Sequence, residues 1–425
     1  MKAYTQMTKE ELLQEKESLL EAYREFQMRD LSLNMARGKP SSAQLDLAND
    51  MLSVLNADSD FIAENGLDVR NYGGIDGIPE AKELLASMVD AKADQVVVCG
   101  NSSLNLMYDT VSRAMVTGIC GHTPWAKLDQ VKFICPVPGY DRHFGVTEHF
   151  GIEMINVNMT PEGPDMDAVE ELVQDSSVKG IWCVPKYSNP QGVVYSDEVV
   201  RRMAALQPAA EDFRVFWDNA YCVHDIYEEE HLLNILEAAK EAGREDMIFE
   251  FVSTSKVSFA GAGIAGIATS EQNRKDVIAS MEAQTIGHDK MNELRHAYYF
   301  KDGEGIRAHM RKHAELLRPK FEMVLNTLER DLAGYDCGNW LSPKGGYFIT
   351  YEAKEGCATR IVALAKEAGV VLTGAGAPYP YHKDPLDSII RLAPSLPTLE
   401  ELEQAADIFT ICVRLATIEK IEQTA

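Results

Sequence analysis

The sequence predicts an α/β protein with a mostly parallel, helix-covered central sheet in a large domain and a smaller α+β domain. Between about residues 95 and 260, short apolar runs alternate with helical stretches, which is typical of a parallel sheet covered on both faces. Each run ends in a turn of polar residues, glycine or proline. From about residue 305 the apolar runs become fewer, which predicts the second domain.

The chain before the sheet is predicted to begin with an arm. Thr8 and Glu11 have the spacing of a capping box, so a helix is expected to start here and continue to about Arg29. Such a helix can pack on the body of the protein or on a second subunit. We assign residues 1–50 to an N-terminal arm and part of the small domain.

The large domain is predicted to occupy residues 51–304. Its strands are rich in β-branched and aromatic residues. A helix is expected from Leu104 to Met115, directly after the first strand. The predicted strands are Gln95–Cys99, Phe133–Cys135, Ile181–Val184, Phe213–Trp217 and Ile248–Val252.

The small domain is predicted to occupy residues 305–425. Its first element is a charged helix from Arg307 to about Leu332. The later elements are a helix near Thr359 to Ala368, strands at Val370–Leu372 and Ser388–Ala393, and a last helix from about Thr398.

The composition excludes several kinds of partner. The 425 residues carry a net charge of −25, so binding to nucleic acid or to an anionic membrane is not expected. The N-terminal stretch is charged, and no signal segment or membrane span is visible. The eight cysteines are scattered singly, without a Cys-x-x-Cys pair. This pattern predicts no metal site and fits a reducing cytoplasm.

Lys256 is the first candidate for chemistry, because it follows the apolar strand at Ile248–Val252. A lysine at the end of a buried strand is poorly solvated, so its charged form is disfavoured and its pKa falls. The neutral amine can then attack a carbonyl and form a Schiff base. The alternative is an ordinary surface lysine, and Lys256 alone does not decide between them.

Polar and aromatic side chains follow the other strands. Asp218 can pair with a protonated ring nitrogen, Tyr140 offers a face for stacking, and Asn189 and Tyr221 can bond a phenolate oxygen. Each has an alternative as a helix cap, a turn residue or part of the core. Because the carboxyl ends of parallel strands share one edge of a sheet, we expect these residues to lie together.

An anion site is predicted where the Gln95–Cys99 strand meets the next helix. Ser102 and Ser103 stand at the start of that helix, where free N–H groups and the helix dipole favour a phosphate. Ser253 and Ser255 can add hydroxyls from the lysine turn. The turn lacks the Gly-Lys-Ser/Thr of a nucleotide P-loop, and a simple helix cap is the alternative.

Two glycine-containing loops and one arginine complete the candidates. Gly38 lies between Arg37 and Lys39 in a loop where backbone can approach a ligand. The loop Asn71–Glu80 does not follow the G-x-G-x-x-G pattern, so a dinucleotide site is not expected. Arg391 can bind a carboxylate through two N–H groups, or form a surface ion pair. The order and shared position of these candidates favour a pyridoxal phosphate site.

The same residues carry a resemblance to a known family. From about Gly38 to Arg391 the chain resembles the fold type I, class I aminotransferases, which depend on pyridoxal 5'-phosphate. Its opening loop and its Gly100–Ser103 turn resemble a less common bacterial aspartate aminotransferase subgroup. The matching motifs are Asn71-Tyr72 with Gly77-Ile78-Pro79, Ser188-Asn189-Pro190-Gln191-Gly192, Asp218-Asn219-Ala220-Tyr221, Ser253-Thr254-Ser255-Lys256 and Arg391-Leu392-Ala393.

The resemblance implies how the cofactor is held within the large domain. Lys256 would carry the cofactor as a Schiff base and shuttle the proton of the substrate's α-carbon. Asp218 would hold the ring nitrogen. The other implied contacts are Tyr140 on the ring, Asn189 and Tyr221 on its oxygen, and Ser102, Ser103 and Ser253 on the phosphate.

The resemblance also implies the substrate contacts and the assembly. Arg391 would bind the α-carboxylate of an amino acid or 2-oxo acid, with the Gly38 backbone near it. Tyr72 would reach the phosphate of the neighbouring subunit, so a homodimer is expected. For the side-chain carboxylate of a dicarboxylic substrate, Arg37 and Lys39 are preferred. Other candidates are Arg142, Lys290 and Arg295.

One position departs from the family pattern. Members usually carry a phosphate-binding arginine eight residues after the lysine, and this chain has Ile264 there. Hydroxyls, a helix N-terminus or another basic group would have to replace it.

These observations predict a cytoplasmic aminotransferase acting on aspartate and 2-oxoglutarate by a ping-pong mechanism. The first alternative is a β-eliminating lyase of the same fold, or an aminotransferase for another amino acid. The second is the sensor domain of a transcription regulator, which would need a basic domain ahead of this fold. Only about forty residues precede Gly38, and they are too few and too acidic for such a domain.

Overall fold

The computed structural model describes residues 2–424 and shows the α/β fold that the sequence predicts. Within these residues the first α-helices are α1 (Lys9–Gln27), α2 (Ser42–Asp46), α3 (Pro79–Met88), α4 (Ser103–Val116), α5 (Asp141–His149), α6 (Met166–Leu172) and α7 (Asp197–Ala204). They are followed by α8 (Ile235–Glu241), α9 (Glu271–Gln284), α10 (Lys290–Phe300), α11 (Gly303–Leu332), α12 (Ala358–Glu367) and α13 (Leu399–Thr424). Short 3-10 helices lie at Tyr4–Gln6, Asn49–Ser53, Ala93–Gln95, Trp125–Lys127, Glu245–Met247 and Pro380–His382.

The strands form three sheets within the same residues. They are β1 (Leu33–Asn34), β2 (Val96–Val98), β3 (Lys132–Val137), β4 (Glu153–Thr160), β5 (Gly163–Pro164), β6 (Val178–Cys183), β7 (Arg214–Asp218), β8 (Ile248–Ser253), β9 (Ala265–Thr269), β10 (Gly338–Trp340), β11 (Ile349–Ala353), β12 (Val370–Val371) and β13 (Ile389–Leu392).

The eight-stranded central sheet positions the candidate site. Its order is β2-β9-β8-β7-β6-β3-β4-β5, and β8, β7, β6, β3 and β4 are parallel. β4 lies on one side of β3, whereas β6 and the strands after it lie on the other. This reversal of strand order opens a crevice at the carboxyl ends of β3 and β6, where ligands bind in sheets of this type.

Aromatic residues fill one face of the sheet. Phe133, Trp182 and Phe216 contact one another with ring centroids 4.7–5.5 Å apart, and Phe251 stacks on Phe216 at 5.8 Å. Residues of α4 and α9 belong to the same hydrophobic cluster. The opposite face packs on residues of α3, α7, α8, α10 and α11. Burial on both faces explains why these strands are rich in apolar residues.

Three strands of this sheet were missed by the sequence analysis, and all lie at or near its edges. β4 shows an irregular pattern of burial, and β5 has two residues. β9, made of small residues, runs antiparallel between β8 and β2. β2 itself was expected, but its antiparallel pairing cannot be read from its apolar residues.

The N-terminal arm packs on the C-terminal part of the chain. Thr8 caps α1 through the predicted capping box with Glu11. Leu19 and Tyr23 of this helix belong to the same hydrophobic cluster as residues of α11, α12 and α13. β1 pairs in parallel with β12, and β10, β11 and β13 form a three-stranded antiparallel sheet. The domain boundaries near residues 50 and 304 stay a prediction.

No helix within residues 2–424 is both long and apolar enough to cross a membrane. The same part of the chain holds no group of three or more His, Cys, Asp or Glu side chains arranged for a metal ion.

Candidate active site

Lys256 lies in the turn after β8, at the carboxyl edge of the sheet. Its Nζ is 4.9 Å from the centroid of the Tyr221 ring. Burial lowers the pKa of the Lys256 amine, and the negative charge of Asp218 partly opposes this effect. The balance favours the neutral, nucleophilic amine more than in a lysine exposed to water.

Two buried histidines fix the turn that carries Lys256. Nδ1 of His296 donates to the backbone oxygen of Asn292 at 2.7 Å, so its Nε2 accepts from the Ser258 hydroxyl at 2.8 Å. Nε2 of His309 donates to the backbone oxygen of Val257 at 2.9 Å. Their helices, α10 and α11, are distant in sequence from the lysine turn, so its rigidity depends on tertiary packing.

Because these histidines are buried, we expect the protein to become less stable as the pH falls. Burial lowers the pKa of His296 from 6.5 to about 4 and that of His313 to about 3. Below pH 6.5 the unfolded chain takes up protons at both residues, whereas the native protein does not. We therefore expect the free energy of unfolding to fall as the pH decreases from about 6.5 to about 4, by about 1.4 kcal/mol per pH unit for each histidine.

Urea unfolding measured at several pH values between 7 and 5 tests this expectation. His296→Asn should reduce the slope of unfolding free energy against pH by about one proton. His382→Asn is the matched control, because His382 is exposed and its replacement should leave the slope unchanged. Equal slopes for His296→Asn and the wild type would contradict the assignment.

Asp218 ends β7 and is buried, with 2% of its surface exposed. Nε2 of His143 donates to its Oδ2 at 2.9 Å, and the His143 ring stacks on Trp182 at 4.5 Å. The other carboxylate oxygen, Oδ1, has no hydrogen-bond partner among the residues described. No helix begins after Asp218, so it is not a helix cap. A buried oxygen without a partner fits a charged or N–H group supplied by a ligand.

The residues that are candidates for contact with a cofactor ring lie at the same edge of the sheet as Lys256 and Asp218. Tyr140 starts α5, and its ring lies 4.9 Å from that of His143. Tyr221 is 3% exposed, and burial raises the pKa of both phenols. Both therefore remain protonated donors at neutral pH. Asn189, which is 4% exposed, follows β6 at the crevice.

The predicted anion site combines two turns. Ser102 is the N-cap of α4, and its side chain makes no capping bond. Ser103 is the first residue of that helix. The Ser253 hydroxyl donates to Ser255 at 3.2 Å, and Ser255 donates to the backbone oxygen of Asn101 at 3.3 Å. The lysine turn and the helix N-terminus therefore lie side by side, with hydroxyls and backbone N–H groups available to an anion.

Ile264 occupies the position, eight residues after Lys256, where the family pattern has a phosphate-binding arginine. Its side chain is in the core, with 1% of its surface exposed, and its backbone N–H donates to Thr254 Oγ1 at 2.9 Å. Nδ1 of His288 lies about 4 Å from the position that a Cβ at Gly100 would take, in the turn before α4. The donors present fit a phosphate without a charge at residue 264.

Arg391 lies in β13 at the opposite side of the crevice. Its Nη1 donates to Asn189 Oδ1 at 3.1 Å and is 3.4 Å from an oxygen of Asp141. Nη2 donates to Thr373 Oγ1 at 3.1 Å, and the guanidinium lies over Phe348 at 4.6 Å. Nε has no partner among the described residues. The guanidinium is oriented while part of its donor capacity remains free.

The Gly38 loop lies against Arg391. A Cβ at Gly38 would stand 2.4 Å from Phe348 Cζ, so a larger residue would displace the ring beneath Arg391. Arg37 and Lys39 flank this glycine with exposed side chains. The loop therefore brings two unburied cations to the neighbourhood of the arginine.

The remaining candidates lie elsewhere. Tyr72 is 78% exposed, in a loop at the surface. Lys290 is buried and donates to the backbone oxygen of His288 at 3.0 Å. Arg295 bonds to Asn292, and Arg142 is exposed on α5. Within this chain, none of these four side chains contacts Arg391.

The residues present fit pyridoxal phosphate. An amine at Lys256, an unpaired buried oxygen at Asp218 and a hydroxyl-lined helix N-terminus match its aldehyde, ring nitrogen and phosphate. Sequence reasoning missed three supporting residues. His143 bonds to Asp218 and stacks on Trp182, and Thr373 accepts a hydrogen bond from Arg391. The position of His143, three residues after Tyr140, was the available signal.

Comparison with known proteins places this geometry in a family. The family model for aspartate aminotransferase matches residues 7–425. The aspartate aminotransferase of Corynebacterium glutamicum is 48% identical over 405 residues, covering 95% of this chain and 94% of the relative. A putative aminotransferase of Mycolicibacterium smegmatis is 41% identical over 423 residues, covering 99% of both chains.

The fold agrees with a solved structure. A crystal structure of an aspartate transaminase from Corynebacterium glutamicum superposes with a TM-score of 0.95 at 47% identity, covering 97% of this chain and 98% of that one. A match over nearly the whole length extends to the sheet, the crevice and the C-terminal elements that carry Arg391. The chain belongs to the aspartate aminotransferase family, the pyridoxal-phosphate-dependent aminotransferases of fold type I.

Proposed function

We propose that the protein transfers the amino group of aspartate to 2-oxoglutarate by a ping-pong mechanism, with pyridoxal phosphate as its cofactor. One observation carries the proposal: a buried lysine amine, a buried carboxylate with a free oxygen and an oriented arginine converge at one crevice. The relative that is 48% identical is an aspartate aminotransferase, which supports the choice of substrate.

The cofactor contacts follow from the positions of the side chains. Bound pyridoxal phosphate would supply an aldehyde that accepts the amino group and a ring that withdraws electrons from the α-carbon. Asp218, held by His143, would bond the ring nitrogen and keep it protonated. The other proposed contacts are Tyr140 on the ring face, Asn189 and Tyr221 on the ring oxygen, and Ser102, Ser103, Ser253 and Ser255 on the phosphate.

Lys256 and Arg391 act on the substrate. The Arg391 guanidinium binds the α-carboxylate and so orients the α-carbon. The Lys256 amine, whose neutral form is favoured by burial, takes the proton from that carbon and later returns a proton. Arg37 and Lys39 bind the second carboxylate of aspartate, because their loop adjoins Arg391 and their charges are exposed.

We propose that the active unit is a homodimer in the cytoplasm. The exposed Tyr72 then reaches the phosphate of the neighbouring site, which accounts for a large aromatic side chain left 78% exposed in one subunit. The singly spaced cysteines suit a reducing compartment.

A panel of amino donors with 2-oxoglutarate tests the substrate assignment. Aspartate is expected to give the highest kcat/KM. The double replacement Arg37→Ala with Lys39→Ala should lower kcat/KM for aspartate about tenfold or more, because a charged hydrogen bond of about 1.5–3 kcal/mol is lost, and should spare alanine. Arg201→Ala, at an exposed residue of α7, is the matched control. Equal losses for aspartate and alanine would place the second carboxylate elsewhere.

Incubation of the protein with aspartate alone distinguishes an aminotransferase from a β-eliminating lyase. Aspartate without an oxo acid should bleach the visible colour of the bound cofactor in one turnover, because the amino group has no acceptor. A β-eliminating lyase would keep its colour and continue to release product.

A further inference from the structure

A second cavity lies behind the crevice, on the face of the sheet that packs against α11. Its volume is about 420 Å³. Its walls are the sheet, the end of α3, the loop 222–235 and α11, which contributes Met310 and Ala314. The described residues that line it do not include Lys256, Asp218 or Arg391, so the cavity is separate from the candidate active site.

Two buried oxygen atoms without partners form its floor. Glu250, in β8 opposite Trp217, is 2% exposed, and Asn219, directly after Asp218, is 4% exposed. The Asn219 amide donates to Glu250 Oε1 at 2.9 Å. Glu250 Oε2 and Asn219 Oδ1 have no partner within residues 2–424. Asn219 Oδ1 is an acceptor, and so is Glu250 Oε2 when its carboxyl is ionised, so the floor favours a ligand that carries positive charge and donates hydrogen bonds.

The charges around the opening favour a cation. Arg307 and Arg311 both pair with Glu304, at 3.1 and 2.8 Å, and Lys186 pairs with Asp225 at 2.9 Å. Arg318 donates to a backbone oxygen, and Glu230 pairs with Lys344 at 2.8 Å. Three further acids at the opening form no ion pair within the described residues: Asp90, Glu229 and Glu315. Within the described chain, six acids and five cations therefore surround the opening, which leaves a small excess of negative charge in a protein that is itself strongly acidic.

Apolar side chains form part of the cavity lining. Met310 and Ala314 come from α11, and Leu232 and Ile235 come from the opposite wall. Buried acceptors, these apolar side chains and acids at the opening complement a cation carried on a short hydrocarbon body. A metal ion would leave the apolar side chains without a partner.

We propose that this cavity binds a small organic ammonium ion, whose N–H groups donate to Glu250 and Asn219. The cation would be a protonated amine rather than a quaternary one, because both floor atoms need a donated hydrogen. The inference concerns a site outside the proposed catalytic machinery and goes beyond the transamination reaction.

Binding should be coupled to the ionisation of Glu250. Burial raises the pKa of this carboxyl to about 8, although the bond from Asn219 opposes the shift. At pH 7 the empty site therefore holds mostly the neutral acid, and the charged ligand favours the carboxylate. Binding at pH 7 should release close to one proton, and affinity should rise about tenfold or more between pH 6.5 and pH 9.

Calorimetric titration of the holoenzyme with piperidinium chloride tests the proposal. A secondary amine is chosen because it forms no neutral imine with an aldehyde cofactor. We expect saturable binding of one ion per chain, with a heat that depends on the ionisation enthalpy of the buffer. The neutral isostere tetrahydropyran should not bind.

Two variants locate the site. Glu250→Gln keeps the shape and removes the charge, so affinity should fall at least tenfold and the proton release should disappear. Glu241→Gln, an exposed residue on α8, is the matched control and should bind as the wild type does. Ala314→Leu reduces the cavity without touching the floor and should also weaken binding, which decides the matter if Glu250→Gln does not fold.

Three results would overturn the proposal: no saturable heat for the wild type, equal binding of tetrahydropyran, or unchanged affinity in a folded Glu250→Gln or Ala314→Leu variant. Transaminase activity is measured separately on the same preparations. Loss of the ammonium site would leave the proposed function standing, and loss of activity with aspartate would leave the ammonium site standing.

Discussion

Lys256→Ala is expected to lower transamination by roughly four orders of magnitude or more, because the proposed mechanism uses the same amine both to attach the cofactor and to move the α-proton. Neither of the other candidate lysines is expected to replace Lys256, because Lys290 is buried and bonded to the backbone oxygen of His288, and Lys39 is exposed in the Gly38 loop. Steady-state rates with aspartate and 2-oxoglutarate measure the loss. Borohydride reduction of the holoenzyme should leave the cofactor on the peptide containing residue 256 in the wild type only.

Lys275→Ala provides the matched control. Lys275 is exposed on α9 and pairs with Glu271, so its replacement should change neither rate nor labelling. Residual activity of the Lys256→Ala variant above about one per cent of wild type would remove Lys256 from the role proposed here.

Asp218→Asn is expected to lower kcat by roughly two to four orders of magnitude. The amide can still occupy the buried position beside His143, but it carries no charge to hold a proton on a ring nitrogen. Because the carboxylate is 2% exposed, its electrostatic effect is weakly screened by water. Single-turnover rates with aspartate separate this loss from weaker cofactor binding, which is measured by dialysis.

Asp129→Asn is the corresponding control, at an exposed position before the amino end of β3, whereas the crevice lies at the carboxyl ends of the strands. A variant Asp218→Asn that retains the wild-type rate once saturated with cofactor would show that the charge is not needed. The lack of a hydrogen-bond partner at Asp218 Oδ1 would then require another explanation.

The sequence predicted the fold class because buried parallel strands leave a strong local pattern. β6, β7 and β8 are wholly buried, are rich in apolar residues and end at polar turns, and the central sheet confirms the α/β class. β9 escaped because Ala265 to Thr269 contains small residues with little strand preference. A Cβ at Gly266 would lie 2.8 Å from a Leu85 methyl, so packing required the small residue that obscured the strand.

Residues of the candidate site could be predicted where they follow the end of a parallel strand. Lys256, Asp218 and Asn189 were found because residues after parallel strands share one edge. His143 and His296 were not, since each lies within a helix; only the position of His143, three residues after Tyr140, offered a signal, and nothing near His296 in the sequence marks a buried partner. Glu250 was also overlooked, because it was read as part of an apolar strand.

The sequence alone determined the α/β class, the order of the strands along the chain and the residues at their carboxyl ends, because burial and turn chemistry are local properties. The tertiary structure decided the order of the strands within the sheet. It also decided that His143 supports Asp218, that Asn189 and Thr373 orient Arg391, and that Glu250 faces a cavity. Each of these contacts joins residues distant in sequence, and their geometry exists only once the helices and strands have packed.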